Sequence, residues 1–566
     1  MSLGGYSMFV LQFGIIVARN AGARHGLPVC AAMLAGWRRL AAVLCLAVLA
    51  TALAGCGSSG EGEGKLGLVE GFAGIVVADE PRAAVLGRDT LGNGGNAVDA
   101  AVIMYFTMAV TLPSRASLGG GGTCVVYDSG ENTAEALLFL PRAGHAGGVV
   151  PQGPRAMAAL HARHGLLRWA QLLTPAENLA RFGHPVSRAF ARDLAAAAPQ
   201  LAADPLISRT FRNNAGELPS EGDKVVQRDL ASVLGGLRAQ GAGYLYGGVF
   251  TQRFAEAATA AGQAVTVEDV RTSLPVFVEP VAVEFGDRTL YFTSPPAADG
   301  LVAAQMWEML VGEMGPADAG SAERAHQFVE AAARAFAQRA VWMAPDGEAR
   351  QEPRRLLAAD RLEHALEGYQ RDRHTPAGSL SPRPVALAEN PHGASFVAAD
   401  RWNNVVACSL TMNGLFGAFQ MAPDTGILLA APPENHNNGL LSPSAAILVN
   451  PKVKEGYFAA AASGGAAAPT ALVSVMLGAL ADDLPLEEAV AEPRFHHGGA
   501  PDVTFYEEGV PDPVLDGLRK RGHLLRPAPG LGRVNALYCP DSFKRRQERC
   551  HFANDPRGWG LGFLVQ

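Results

Sequence analysis

The sequence predicts a mixed α+β fold, and three observations carry that expectation. Residues 395–399 (SFVAA) and 405–412 (VVACSLTM) are short apolar runs separated by Arg401-Trp402-Asn403-Asn404. Asn-Asn is good turn chemistry, so the pair reads as a hairpin buried on at least one face. Residues 97–110 follow a Gly94-Gly95-Asn96 turn and form a strongly apolar helix. Residues 151–336 are mostly helical in pattern. The chain has 566 residues, 48% hydrophobic and 18% charged, which is ample for a large core. Its net charge is −7, with no basic stripe carrying interleaved aromatics. That points away from nucleic acid as a partner.

The N-terminus reads as a targeting segment. Arg38-Arg39 precede an apolar run over residues 40–55 that ends Leu53-Ala54-Gly55-Cys56. The run is short for a membrane span and carries the charged flank of a signal peptide. Leu-Ala-Gly-Cys looks like a bacterial lipoprotein lipobox, which makes Cys56 the expected lipidated residue and the first of the mature protein. Residues 1–56 are therefore read as a lipoprotein signal, with Met33 a better start than Met1. Residues 57–65 (GSSGEGEGK) read as a flexible tether. The expected location is the periplasm, with a lipid anchor in an envelope membrane. Gly57 after the lipid cysteine favours the outer membrane.

Of seven cysteines, Cys30, Cys45 and Cys56 belong to the leader, and the body keeps Cys124, Cys408, Cys539 and Cys550. There is no C-x-x-C pair, so no zinc site is suggested. Cys539 and Cys550 flank a polar loop between short apolar runs, and outside the cytoplasm a disulfide between them is expected. Cys124 and Cys408 lie in apolar runs and are expected to be plain buried thiols.

Taken in order, residues 117–122 (SLGGGG) open a strand over residues 123–127. No Lys-Ser/Thr follows the glycines, so a P-loop is excluded. The next strand ends Leu138-Phe139-Leu140-Pro141-Arg142. The helix over residues 322–342 carries His326 and Glu330 on one face. Two ligands are too few for a metal, so both read as surface or packing residues and no metal is expected. Residues 351–390 are charged, proline-rich and weakly patterned.

Residues 66–566 resemble the γ-glutamyltransferase (γ-glutamyltranspeptidase) family. The matching pieces occur in one order: GGNAVDAA (94–101), PAENLARFGHPVS (175–187), QRDLASVL (227–234), GYLYGG (243–248), VTVEDV (265–270) and SPPAADG (294–300). Then come Asp400, Asn404, Val406, Thr411, Asn413, Phe416 and Gly417 in register, Gly426-Ile427-Leu428-Leu429, Ser463-Gly464-Gly465, Pro493-Arg494-Phe495-His496-His497 and Asn554-Asp555-Pro556-Arg557. The resemblance implies an N-terminal-nucleophile hydrolase fold, a four-layer αββα sandwich. One domain would be made from a large-subunit-like part, residues 66–392, and a small-subunit-like part, residues 393–566. Asn96 and Asp99 are then cap and packing residues.

The resemblance also assigns the site. Family members cut themselves before a threonine, and that threonine becomes the nucleophile. The freed α-amine serves as its base. The aligned residue is Gly393, which has no side-chain heteroatom and can neither cut the chain nor attack a substrate. Ser395 is the candidate replacement. It lies on the same strand face but about 6–7 Å further along. Gly464 and Gly465 fit the family's oxyanion hole, and Thr411 and Asn413 are retained. The family's α-carboxylate-gripping Arg aligns with Leu140, and Arg142 lies two residues on. Asn435 stands where an Asp binds the substrate amine, and Glu434 beside it offers a charge. Ser442 keeps one of two paired serines, and the second is Pro443. The His496-His497 pair is structural in the family.

Loss concentrated on the substrate-contacting atoms implies an uncleaved, degenerate member that binds a small γ-glutamyl or other amino-acid-like compound, with no cofactor. Two alternatives stay open. One is an active γ-glutamyltransferase or related amidohydrolase, acting on glutathione or γ-glutamyl amides through Ser395. The other is a structural envelope lipoprotein.

Overall fold

Period-two alternation along the central strands builds two sheets back to back. The structure is a computed structural model and describes residues 71–212, 216–344, 348–384, 392–433 and 444–566. The leader with Cys56, the tether, and Glu434, Asn435, Ser442 and Pro443 lie outside the described residues. No helix among the described residues is long and apolar enough to cross a membrane.

The strands that matter are, in chain order, β1 (Gly74–Ala78), β2 (Gly121–Asp128), β3 (Thr133–Phe139), β4 (Val276–Val278), β5 (Val281–Phe285) and β6 (Arg288–Phe292). They continue with β7 (Ala394–Asp400), β8 (Val405–Thr411), β9 (Ser444–Asn450), β10 (Glu455–Ser463), β11 (Arg533–Tyr538), β12 (His551–Ala553) and β13 (Leu561–Val565). The first sheet has seven strands in the order β13-β1-β7-β8-β2-β3-β4, and the second has six, β12-β11-β10-β9-β6-β5.

Both faces of each sheet are apolar, and each face has its own partner. Along β7, Ala394, Phe396 and Ala398 join a core shared with α1 (Pro81–Gly92) and α2 (Ala97–Thr111). Val397 and Ala399 point the other way and meet Ala459, Ala461 and Leu537 of the second sheet. The opposite face of that sheet, with Phe458, Ala460 and Ala462, packs under α3 (Ala298–Glu308), α4 (Ala322–Trp342) and α5 (Ala468–Met476). The result is the expected αββα order of layers.

The expected hairpin is β7–β8, and all seven residues of each strand are buried. Asn403 makes its turn with φ +71, a left-handed conformation that Asn tolerates. Asp400 Oδ2 accepts from the Ala97 N–H at 2.9 Å, which docks the start of α2 on the hairpin. Asn96 caps α2 in a capping box with Asp99.

One expectation needs correction. Cys124 and Cys408 are not free thiols. They stand directly opposite each other on paired strands β2 and β8 and form a disulfide. The expected Cys539–Cys550 bridge is also present. Of the two readings of His326 and Glu330, surface or packing, the structure gives packing, since both are fully buried. The stretch over residues 151–336 is mostly helical, as expected, and also supplies the short strands β4, β5 and β6.

Candidate functional site

Gly393 immediately precedes β7, at the end of the sandwich where β10 finishes at Ser463 and β11 begins at Arg533. The strand alternation aims residues 393 and 395 between the sheets. Gly393 is buried, and Arg533 Nη2 donates to its carbonyl oxygen at 2.9 Å. The same Nη2 lies 3.3 Å from Ser463 Oγ. A Cβ built on Gly393 would lie 2.8 Å from the Leu410 carbonyl oxygen and 3.2 Å from Ser463 Cβ. The backbone here is packed for glycine.

Ser395 is fully buried within the sandwich. Its Oγ accepts from Asn535 Nδ2 at 2.9 Å, and its backbone N–H donates to Asp79 Oδ2 at 2.8 Å. Asn535 Nδ2 also donates to Asp79 Oδ1 at 2.9 Å, so one amide and one carboxylate bind strands from both sheets. Ser395 thus sits in a buried polar network that crosses the core, although Asn535 Oδ1 has no partner among the described residues.

Charge is concentrated beside this network. Arg115 grips Asp193 with Nε at 2.7 Å and Nη2 at 2.6 Å, and Ser114 Oγ donates to the same carboxylate at 2.6 Å. A planar fork on a carboxylate is the strongest common ion-pair geometry. Burial, and then Arg115, push the Arg533 guanidinium down to about 10, against the pull of Asp79, Asp193 and Asp555. Its Nε is buried with no partner among the described residues. Burial, with Arg115 and Arg533 nearby, pushes the His392 imidazole down to about 4, against the pull of Asp193. His392 is therefore neutral at pH 7.

Ser463 leads into Gly464 at φ +137 and Gly465 at φ +60. A Cβ on Gly464 would lie 2.5 Å from Gly532 Cα, so only glycine lets these two backbones approach. Thr411 and Asn413 form the corner after β8. Thr411 Oγ1 accepts the Asn413 N–H at 2.9 Å, and Asn413 Nδ2 donates to the carbonyls of Pro141 at 3.1 Å and Ala431 at 2.9 Å. Asn413 thus positions the chain after β3 beside the end of β8.

Arg142 goes elsewhere. Its Nη2 pairs with Glu348 Oε1 at 3.1 Å on the rim of a cleft of ≈ 250 Å³ beside β3 and β4. No residue lining that cleft belongs to the Gly393 cluster. Leu140 is buried with Leu138 and Ala297. The structure therefore brings Gly393, Ser395, Gly464 and Gly465 to one end of the sandwich, and leaves Arg142 in a separate cleft. Arg533, Arg115, Asp193, Asp79 and Asn535 were missed from sequence. The one available signal was Arg115, a lone cation among small and apolar residues at 112–122.

A family model described as gamma-glutamyltranspeptidase matches residues 83–561. The Acylase ACY 1 proenzyme of Pseudomonas sp. (strain V22) is 28% identical over 523 residues, 83% of this chain and 91% of that protein. The glutathione hydrolase proenzyme of Bacillus subtilis (strain 168) is 26% identical over 528 residues, 82% of this chain and 88% of that protein. Among solved structures, cephalosporin acylase from Bacillus halodurans superposes with a TM-score of 0.76 at 20% identity, covering 88% of this chain and 97% of that one. That likeness gives the fold.

Proposed function

The chain belongs to the gamma-glutamyltranspeptidase family, and from that premise we propose that it is an uncut, lipid-anchored member that binds a small amino-acid-like compound rather than transferring γ-glutamyl groups. The observation that carries this reading is the environment of Gly393. It stands where the family places its threonine, and it offers no hydroxyl to attack the preceding carbonyl or a substrate. Its carbonyl is held by Arg533 at 2.9 Å, and the Leu410 carbonyl oxygen leaves no room for a Cβ.

Ser395 supports the same reading. Its hydroxyl is buried in the bond from Asn535, and nucleophilic attack needs near-contact geometry that a residue two positions along the strand does not have. The inherited Gly464-Gly465 corner and the cations around Gly393 favour a ligand with an anionic end. The lipobox order before Cys56 supports a periplasmic location with a lipid anchor, the outer membrane favoured. Two disulfides, one with each sheet, suit an oxidising compartment.

The purified protein should not hydrolyse a chromogenic γ-glutamyl anilide. Ligand binding is read as a rise in melting temperature across a panel of amino acids and γ-glutamyl compounds. Turnover of the anilide at a rate abolished by Ser395→Ala would overthrow this reading in favour of catalysis. A flat melting temperature across the panel would leave a scaffold role instead.

A further inference from the structure

Away from Gly393, histidine rings run in a chain through the second helix layer. His326 to His523 is 5.0 Å between centroids, His523 to His374 is 4.4 Å, and His374 to His497 is 6.1 Å. His326 comes from α4, His374 from the irregular stretch after the helix Ala359–Ala365, and His497 from the stretch after Phe495–His496. His523 follows the helix Asp512–Lys520. Glu330 of α4 and Asp502 sit among them.

The hydrogen-bond partners fix the protons. His326 Nε2 lies 2.8 Å from the Gln370 carbonyl, which only accepts, so Nε2 carries a proton. Its Nδ1 is then the acceptor in the 2.7 Å contact with His523 Nε2. His497 Nδ1 accepts the Gly499 N–H at 3.0 Å, so His497 Nε2 is the donor 3.3 Å from Asp502 Oδ1. His374 differs from the others. Its Nδ1 is 2.7 Å from Glu330 Oε1 and its Nε2 is 2.9 Å from Asp502 Oδ1. Both nitrogens face carboxylates, both donate, and the ring is an imidazolium.

This assignment disfavours a metal, although the groups His326–Glu330–His523 and His374–His497–Asp502 each converge. Ligation through His523 Nε2 would move its proton to Nδ1, which is buried with no acceptor among the described residues. Ligation through His497 Nε2 would set a proton on Nδ1 against the Gly499 N–H. Glu330 is already used by His374, by Arg334 Nη1 at 2.5 Å and by the Thr375 N–H at 3.0 Å.

These same carboxylates hold the backbone of the stretch that carries His374. Thr375 N–H donates to Glu330, and Ala377 N–H donates to Asp502 Oδ2 at 2.9 Å. Arg334 Nη2 donates to Thr375 Oγ1 at 2.9 Å, and His374 N–H donates to the Arg521 carbonyl at 2.7 Å. We propose that the His374 imidazolium is a charge-dependent latch that holds residues 369–384, the stretch leading toward Gly393, against α4 and the 497–502 loop. A neutral ring donates from one nitrogen only, so one of the two carboxylates would then face a lone pair. The carboxylates that bind Thr375 and Ala377 would lose their shared counter-charge together.

The charged and titratable groups around His374 set the direction. α4 offers Glu330, Arg334 and His326; the loop offers His497 and Asp502; the 521–523 turn offers Arg521 and His523. Burial opposes the charge on His374, but the bond and charge of Glu330, with Asp502, outweigh it and raise its pKa above 6.5. The latch is therefore closed below about pH 6.5 and is lost as pH rises through the higher folded value. Glu330 is held near about 2 despite burial, by His374 and Arg334, and Asp502 is also lowered, so both stay ionised across that range.

The Thr375 and Ala377 amides report the latch directly. Hydrogen exchange of the full chain, corrected for intrinsic rates, is followed from pH 6 to 9.5 with β8 as the internal control. Peptides over residues 369–384 should lose up to about tenfold protection per pH unit between about pH 6.5 and the higher folded value, while β8 stays protected. His374→Gln should exchange fast in this stretch at every pH. Protection that is flat to pH 9.5 in the wild type overturns the latch, and so does a His374→Gln variant that exchanges like the wild type. Stoichiometric zinc uptake by metal-free protein, lost in His374→Gln, also overturns it, by making the cluster a metal site. Should His374→Gln fail to fold, the wild-type pH series still decides.

Discussion

Arg533 reaches from the first residue of β11 in one sheet to the carbonyl of Gly393 at the start of the other, a 2.9 Å bond that ties the two sheets at their open end. Arg533→Met keeps much of the apolar stem and removes the donor. The Gly393 carbonyl is then left short of a partner in a buried place. We expect a stability loss of about 1–3 kcal/mol by urea denaturation. Removing a guanidinium whose Nε is itself unpartnered offsets part of that loss. Arg533→Lys, which keeps a charged donor, should lose less. A methionine variant as stable as the wild type would mean that the bond does not hold the sheets.

The hairpin was legible because its signals are local. Two apolar runs and an Asn-Asn turn specify β7 and β8 to within a residue or so at each end. The Cys124–Cys408 bridge was not legible, because the two cysteines are 284 residues apart and only the β2–β8 pairing makes them neighbours. The same reason hid the histidine chain. Helical spacing puts His326 and Glu330 on one face, but His374, Asp502 and His523 arrive from separate segments. Nothing in the residues next to Arg533 says that its side chain turns toward Gly393. The mixed α+β character followed from pattern and the αββα layers from the resemblance; the charges at the site followed from neither.

The Cys124–Cys408 disulfide joins the stretch before Gly393 to the stretch after it. Peptide mapping without reductant should recover this pair and Cys539–Cys550 as two crosslinks. The Cys124→Ala/Cys408→Ala double variant should lose stability, by up to about 5 kcal/mol in the loop-entropy picture for so long a loop. Recovery of Cys124 and Cys408 as free alkylated thiols from protein kept oxidised throughout would refute the pairing.

His496 gives a pH prediction. Burial and the neighbouring His497 push its imidazole down to about 3. The unfolded chain takes up this proton near 6.5, and the folded chain does not. Its contribution is therefore intact above about pH 6.5 and is lost as pH falls toward 3, at about 1.4 kcal/mol per pH unit. His496→Gln should flatten the acid limb of stability by about that slope between pH 6 and 4, measured by urea denaturation at fixed ionic strength. An unchanged slope would show that His496 is not buried as a neutral ring.

Lipidation is expected at Cys56, from the charged flank, apolar run and Leu-Ala-Gly-Cys order. Cys56→Ala should leave the protein unprocessed or soluble after expression in a bacterial host. Continued partition of the variant into the detergent phase, with the same processed mass as the wild type, would remove the lipobox from the account.

Restoring the hydroxyl by Gly393→Thr should not restore the chemistry. A Cβ at this position would lie 2.8 Å from the Leu410 carbonyl oxygen, a backbone atom of β8, whose Leu410 pairs with Ala394 of β7. That atom moves only if the hairpin shifts, so the substitution should cost roughly 1–3 kcal/mol as overpacking before any reaction is attempted. Gly393→Ala should cost a similar amount, which isolates the Cβ from the hydroxyl. Self-cleavage also needs the new oxygen within near-attack distance of the residue 392 carbonyl, and a strand displaced to relieve the clash would not keep that geometry. A γ-glutamyl substrate would further meet Leu140 buried in an apolar cluster and Arg142 paired with Glu348 in a separate cleft. The measurement is intact mass after full reduction. Without reduction the Cys124–Cys408 bridge would hold two pieces of a cut chain together and mimic an uncut one. Both the wild type and Gly393→Thr should give one species, and neither should release anilide from a γ-glutamyl anilide. Two reduced fragments from Gly393→Thr, the second beginning at residue 393, with turnover of the anilide, would place the substrate contacts elsewhere than Leu140 and Arg142. A second fragment beginning at Ser395 in the wild type would make Ser395 the nucleophile despite its bond from Asn535.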